Sequence, residues 1–180
     1  MTIEIPLSSL ERKVTLALGN VLRNPRRDSI MIALSDPYAW IPYLIILMTI
    51  LMSINWIACL QAMLLGGLAA GTADAINTRY IKPRTNRQRP YRQFNVIEPI
   101  GPMNHGAQSF PSNHASNTMS VCLAIIIFFP AFIWILIPTT LIIGISRVYC
   151  GAHFPIDVVG GWLHGLVWVF VYLAVSAVIL

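Results

Sequence analysis

The chain has 180 residues, of which 56% are hydrophobic and only 11% charged. A soluble domain usually carries about 25% charge, so the composition excludes an ordinary soluble domain and points to a membrane protein. The net charge is +5. Its distribution suits anionic lipid headgroups or phosphate, and no known nucleic-acid-binding module is visible.

Residues 8–34 mix Leu10, Val14, Leu18, Val21 and Ile30 with Arg12, Lys13, Arg23, Arg26 and Arg27. That stretch is too polar to span a bilayer and predicts an N-terminal amphipathic interfacial helix, broken near Pro25. It sets a boundary between an N-terminal segment, 1–36, and a membrane core, 37–180. No cleavable signal peptide is apparent.

A spanning helix needs roughly 20 mostly apolar residues. Five candidates follow: 38–55, 56–76, 114–129, 131–148 and 156–180. The first two are joined by a very short turn at Ser53, Asn55 and Trp56, and Pro130 separates the third and fourth. The predicted class is therefore an all-α integral membrane bundle of five transmembrane helices. Of Cys59, Cys122 and Cys150, two sit inside apolar runs and read as small apolar packers, and the odd count argues against a full disulfide framework. The glycines Gly66, Gly67, Gly71, Gly160 and Gly161 predict close helix packing, and several of the five tryptophans suit interfacial anchoring.

Five spans put three stretches on one face: the N-terminal region, a long loop at 79–113 and a short one at 146–156. Five of the twelve Lys and Arg residues lie in 12–27, six in 79–92, and the last is Arg147. Three clusters stand out. The first runs from Lys82 through Arg89 to Pro90. The second is Ser109-Phe-Pro-Ser112-Asn113-His114. The third runs from Ser146-Arg147 through His153 to Asp157. Cations and N–H donors are what a phosphoryl group needs, because its charge spreads over three oxygens. Ser112 suits an N-cap, and the first turn of the helix it opens binds anions. Pro155 suits the first position of the last helix, with Asp157 in its first turn and His153 four residues back. A carboxylate near one ring nitrogen orients a histidine whose other nitrogen attacks. No convincing metal-ligand set is present.

These clusters resemble the signature of the type 2 phosphatidic acid phosphatases, a superfamily shared with vanadium haloperoxidases and bacterial acid phosphatases. The signature reads K-x6-R-P, P-S-G-H and S-R-x5-H-x3-D, and ten of its eleven specified positions are matched between Lys82 and Asp157. The exception is Asn113, where the family has glycine. Asparagine keeps the backbone N–H and tolerates unusual backbone angles. The resemblance implies that Lys82, Arg89, Ser112, the N–H of Asn113 and Arg147 hold phosphate. It implies that His153 attacks phosphorus, that Asp157 orients it, and that His114 protonates the leaving oxygen. It implies no cofactor and no obligate protein partner. The implied substrate is a membrane lipid phosphate such as phosphatidic acid, phosphatidylglycerol phosphate, undecaprenyl diphosphate or lipid A 1-phosphate. The implied location is a bacterial inner membrane, with the site facing the periplasm. Lipid-to-lipid phosphotransfer, vanadate-dependent halide oxidation and a non-enzymatic lipid carrier remain as rival functions.

Other polar residues have simpler expectations. His164 reads as a packing residue or one half of a polar pair, and Asp74 as a carboxylate with a partner such as a nearby arginine. Arg79, Arg84, Arg87 and Arg92 read as solvated charges or lipid-headgroup contacts. His105 is equally a structural or a substrate-rim residue.

Overall fold

The computed structural model describes residues 3–101 and 106–179. His105 lies outside them. Helix α1 (Ser9–Leu16) starts at Ser8, whose side chain accepts the Glu11 N–H at 3.1 Å. Helix α2 (Pro25–Ser35) opens with proline in its first turn, and Asn24 accepts the Arg27 N–H at 2.9 Å. The break expected near Pro25 is therefore a capped helix start.

Helices α3 (Ile41–Ile54) and α4 (Trp56–Ile76) are separated by Asn55 alone, which caps α4 by accepting the Ala58 N–H at 3.0 Å. Helix α4 runs on through a wide turn at 77–81 into α5 (Lys82–Thr85). Asn86 ends α5 in a left-handed conformation, φ 43°, which asparagine adopts more readily than most residues. The chain then extends. Gln88 pairs antiparallel with Gln108, and Arg89 is extended ahead of α6 (Pro90–Gln93), as a residue preceding proline prefers.

Helix α7 (Asn113–Phe128) begins at the Ser112 cap and stops before Pro130. Helices α8 (Ile133–Tyr149) and α9 (Pro155–Ile179) complete the bundle. Helix α7 packs against α4, α8 and α9. One core joins Leu51, Cys59, Cys122, Ile125 and Leu136; another joins Leu65, Ala69, Ala124 and Val169. All three cysteines are free and buried.

Four helical segments are long and apolar enough to cross a membrane: Pro37–Ile54, Trp56–Thr85, Pro130–Tyr149 and Pro155–Val178. The outer faces stay apolar, as Tyr43, Ile46, Ile54, Leu64 and Ile135 show by their exposure. Such surface belongs in lipid. Helix α7, the third of the five expected spans, has 16 residues. Its cap and Pro130 limit it to about 24 Å at 1.5 Å per residue.

Small residues set the α7–α9 distance. A Cβ on Gly161 or Gly165 would run into the carbonyl of Ser112 or Ser116. Gly66 also meets a neighbour closely, its Cβ position lying 3.2 Å from the Val121 Cα. Gly160 faces the Phe110 ring, whereas Gly67 and Gly71 face open space and permit no contact of the expected kind. Trp134 and Trp56 are exposed, at 85% and 60%, which suits anchoring at a membrane boundary.

The three clusters meet at one end of the bundle. The Ser112 N–H donates to the Asp157 carbonyl at 2.9 Å, and the Tyr91 N–H donates to the Gly151 carbonyl at 3.3 Å. The Ser109 N–H donates to the Arg87 carbonyl at 2.7 Å. These bonds tie the 79–113 loop to the start of α7 and to the loop between α8 and α9.

Candidate active site

His153 sits in the 150–154 loop and is buried. Arg89 reaches it from the extended segment before α6: its Nη1 donates to the Ala152 carbonyl at 2.8 Å and lies 3.2 Å from His153 Nε2. A guanidinium only donates, so Nε2 keeps its lone pair and the ring proton resides on Nδ1. Burial pushes the His153 pKa well below 6.5. The neighbouring cations Arg89, Arg147 and Lys82 push it further. A lowered pKa favours the neutral ring, the form in which one imidazole nitrogen keeps a lone pair.

Asp157 lies in the first turn of α9, four residues after His153. Its Oδ2 accepts the Phe154 N–H at 2.7 Å, reaching back to the residue before Pro155. The same Oδ2 stands 3.8 Å from His153 Nδ1, beyond hydrogen-bond length. Its Oδ1 accepts from Arg87 Nη1 at 2.5 Å. The arrangement expected between the two is therefore present as proximity, while Arg87 is the partner that Asp157 grips.

Arg87 is a correction to the solvated charge expected at that position. Its side chain is buried, donates to Glu11 as well, and stacks over the Phe154 ring at 4.4 Å. The missed signal is a period of two: in extended backbone, residues 87 and 89 point to the same side. One reaches Asp157 and the other His153. Arg84 and Arg92 do lie on the surface against Tyr80 and Tyr91, and Arg79 is exposed.

Arg147, on the last turn of α8, donates to the Ser35 carbonyl at 3.1 Å and to the Ser35 hydroxyl. Its Nε and Nη2 are buried without a hydrogen-bond partner among the described residues. Unpaired buried guanidinium nitrogens are costly and suit an anion. Ser112 caps α7, its hydroxyl accepting the Ala115 N–H at 3.4 Å.

The Asn113 side chain is bonded to α4 and the turn that follows it. Its amide nitrogen donates to Asp74 Oδ1 at 2.8 Å and Thr78 Oγ1 at 3.1 Å. Asp74 is thus bonded to an amide, not to the arginine expected. Helix α4 brings it beside the start of α7, while the exposed arginines near it in sequence lie beyond. His164 forms the expected polar pair: Trp168 Nε1 donates to its Nε2 at 2.9 Å.

One cavity of about 760 Å³ connects these groups. Lys82, Arg89, Asn113, His114 and His153 line one part; Leu44, Leu47, Ile125, Ile135 and Ile143 line another. The apolar part lies between α3, α7 and α8. Ser112, Arg147 and Asp157 are not among the residues that line the cavity. Among the described residues, no cluster of three or more His, Cys, Asp or Glu side chains forms a metal site.

The PAP2 superfamily profile matches residues 56–178. The chain belongs to the PAP2 superfamily. It is a multi-pass membrane lipid phosphatase of that family. Lipid A 4'-phosphatase from Bacteroides thetaiotaomicron is 28% identical over 93% of this chain and 78% of its own. Undecaprenyl-diphosphatase BcrC from Bacillus subtilis is 28% identical over 83% of this chain and 75% of its own. Among solved structures, the transmembrane PAP2-type phosphatidylglycerolphosphate phosphatase from Bacillus subtilis superposes with a TM-score of 0.68 at 23% identity, covering 96% of this chain and 87% of that one. LpxE from Aquifex aeolicus gives 0.68 at 22% identity, covering 97% and 99%. At these identities the two structures speak for the fold.

Proposed function

We propose that the protein hydrolyses a phosphate mono- or diphosphate ester of a bilayer lipid, without a metal ion, through a phosphohistidine on His153. The observation that carries this reading is the single cavity that joins the cationic groups around His153 to an apolar groove between helices. A lipid phosphate has that same division, with an anionic head and a hydrocarbon tail.

In this reading Lys82, Arg89 and Arg147 neutralise the phosphoryl oxygens, with Ser112 and the Asn113 N–H adding donors at the start of α7. Arg89 moves from Nε2 to a phosphate oxygen and so frees the lone pair. The Nε2–P bond forms, the P–O bond to the lipid breaks, and the departing oxygen takes a proton from His114. The ring then carries positive charge, and the Asp157 carboxylate facing Nδ1 stabilises it. Water, deprotonated by His114, next attacks phosphorus and the N–P bond breaks, releasing inorganic phosphate.

The five-span topology belongs to this reading too, with α7 as a short crossing enclosed by α4, α8 and α9. Residues 1–36 form an interfacial segment over the core at 37–180. The site faces the periplasm of a bacterial inner membrane, by analogy with the relatives. Reagent accessibility of cysteines introduced into the 79–113 loop tests the side. A chain this small leaves little outside the bilayer to select one headgroup, so lipid A, undecaprenyl diphosphate, phosphatidylglycerol phosphate and phosphatidic acid are all candidate substrates.

The deciding assay is phosphate release from these four lipids, in detergent with a metal chelator, for wild type and His153→Ala. Release by wild type and none by the variant supports the mechanism. Equal release by both, or none from any lipid, refutes it.

A further inference from the structure

Arg87 carries one positive charge between two buried carboxylates. Its Nη1 donates to Asp157 Oδ1 at 2.5 Å, while its Nη2 donates to Glu11 Oε1 and Oε2 at 2.9 and 3.0 Å. Glu11 also accepts the Ile156 N–H at 3.4 Å. So a residue of the N-terminal helix α1 grips both the arginine and the first turn of α9. All three charged side chains are buried, and neither Glu11 nor Arg87 lines the cavity.

Burying such a group is expensive unless every member is well partnered, and an apolar replacement often serves stability as well. Stability alone therefore gives a weak reason for a carboxylate at position 11. The geometry gives a stronger one. Asp157 has two oxygens, and Arg87 takes the one turned away from His153. That leaves Oδ2 on the Phe154 N–H and facing Nδ1. Arg87 also sets a positive charge against the buried Asp157 carboxylate, and a nearby opposite charge favours the ionised form. Only the ionised form stabilises the cationic ring of a phosphohistidine.

We propose that Arg87 and Glu11 are positioning residues for phosphoryl transfer: Glu11 on α1 fixes Arg87, and Arg87 orients the Asp157 carboxylate towards His153. The proposal rests on the histidine mechanism above. It makes the N-terminal helix part of the catalytic apparatus, although no residue of α1 lines the cavity.

The test uses the full chain in detergent and two probes, orthovanadate and inorganic phosphate, with affinity read from thermal protection. Kinetics on one lipid phosphate accompany it. Vanadate takes a fifth bond from Nε2 and mimics the transition state, so wild type should bind it roughly 100-fold more tightly than phosphate. Arg87→Gln should cut that preference and kcat by at least about tenfold, with KM and phosphate affinity within about twofold, the pattern of a lost transition-state interaction. Arg87→Lys, which keeps the charge but not the fork, should fall between the two. Glu11→Gln is nearly isosteric and carries the test if Arg87→Gln does not fold; a threefold to tenfold loss of kcat is expected, on the order of one weakened charged hydrogen bond.

An unchanged vanadate preference in the folded variants overturns the proposal. So does a parallel fall in vanadate and phosphate affinity, which marks a merely structural role. Failure of wild type itself to prefer vanadate or to release phosphate is a different result: the histidine mechanism falls, and the positioning role with it.

Discussion

Arg89 Nη1 lies 3.2 Å from His153 Nε2, and the same nitrogen donates to the Ala152 carbonyl at 2.8 Å. In the proposed mechanism, Arg89 thus caps the nitrogen that attacks and must move to receive the phosphate. Two consequences can be measured. In ring-labelled protein, 15N NMR should show His153 protonated at Nδ1, with Nε2 bare. Arg89→Lys should lower kcat/KM about 100-fold, the usual scale for one lost transition-state donor. A loss below threefold would take Arg89 out of the mechanism.

The acid side of the pH dependence follows from the lowered His153 pKa. Burial and the cations Arg89, Arg147 and Lys82 hold the ring neutral below 6.5, where a solvated histidine takes a proton. Between the lowered value and 6.5 the unfolded chain binds one more proton than the folded one. Stability contributed by this group is thus complete above 6.5 and is lost as pH falls, by up to about 1.4 kcal/mol per pH unit. The folded ring stays neutral through that window. An NMR titration should find no protonation of His153 between pH 7.5 and 6; a midpoint near 6.5 would contradict the burial.

Asn113 is the one departure from the signature, and its side chain, at the edge of the cavity, is bonded to α4. Its bonds to Asp74 and Thr78, at 2.8 and 3.1 Å, join α7 to α4. Asn113→Gly removes both bonds and keeps the backbone N–H. It should reduce stability by about 1–2 kcal/mol and leave kcat within about threefold. Thermal unfolding and turnover of the same preparation separate the two effects. A large fall in kcat with little change in melting temperature would assign the side chain to the chemistry.

The glycines divide into two kinds. A methyl on Gly165 meets the Ser116 backbone carbonyl, and Ser120 Oγ at 3.0 Å, whereas a methyl on Gly67 meets nothing within 4 Å. Gly165→Ala should push α9 off α7 and destabilise by about 1–3 kcal/mol. Gly67→Ala should stabilise by up to about 1 kcal/mol, through helix propensity alone. Unfolding in a denaturing detergent titration orders the pair, and the reverse order would reject the packing.

The sequence by itself determined what depends on neighbours in the chain. Apolar run length marked the spans, and Ser112 and Pro155 marked where α7 and α9 begin. The i, i+4 spacing put His153 and Asp157 side by side. Caps and helical periodicity act over a few residues, so a short stretch encodes them. The sixteen-residue length of α7 was legible less well, because the residues near Pro130 are equally apolar whether or not they remain helical. Tertiary structure alone decided the partners of the charges. Arg87 and Asp157 are 70 positions apart, and Arg87 and Glu11 are 76. A basic side chain in a polar loop reads as solvated until the packing of α1 against α9 buries it. Desolvation then turns a surface charge into one that must be paired, and which carboxylate pairs with it is set by how the helices dock.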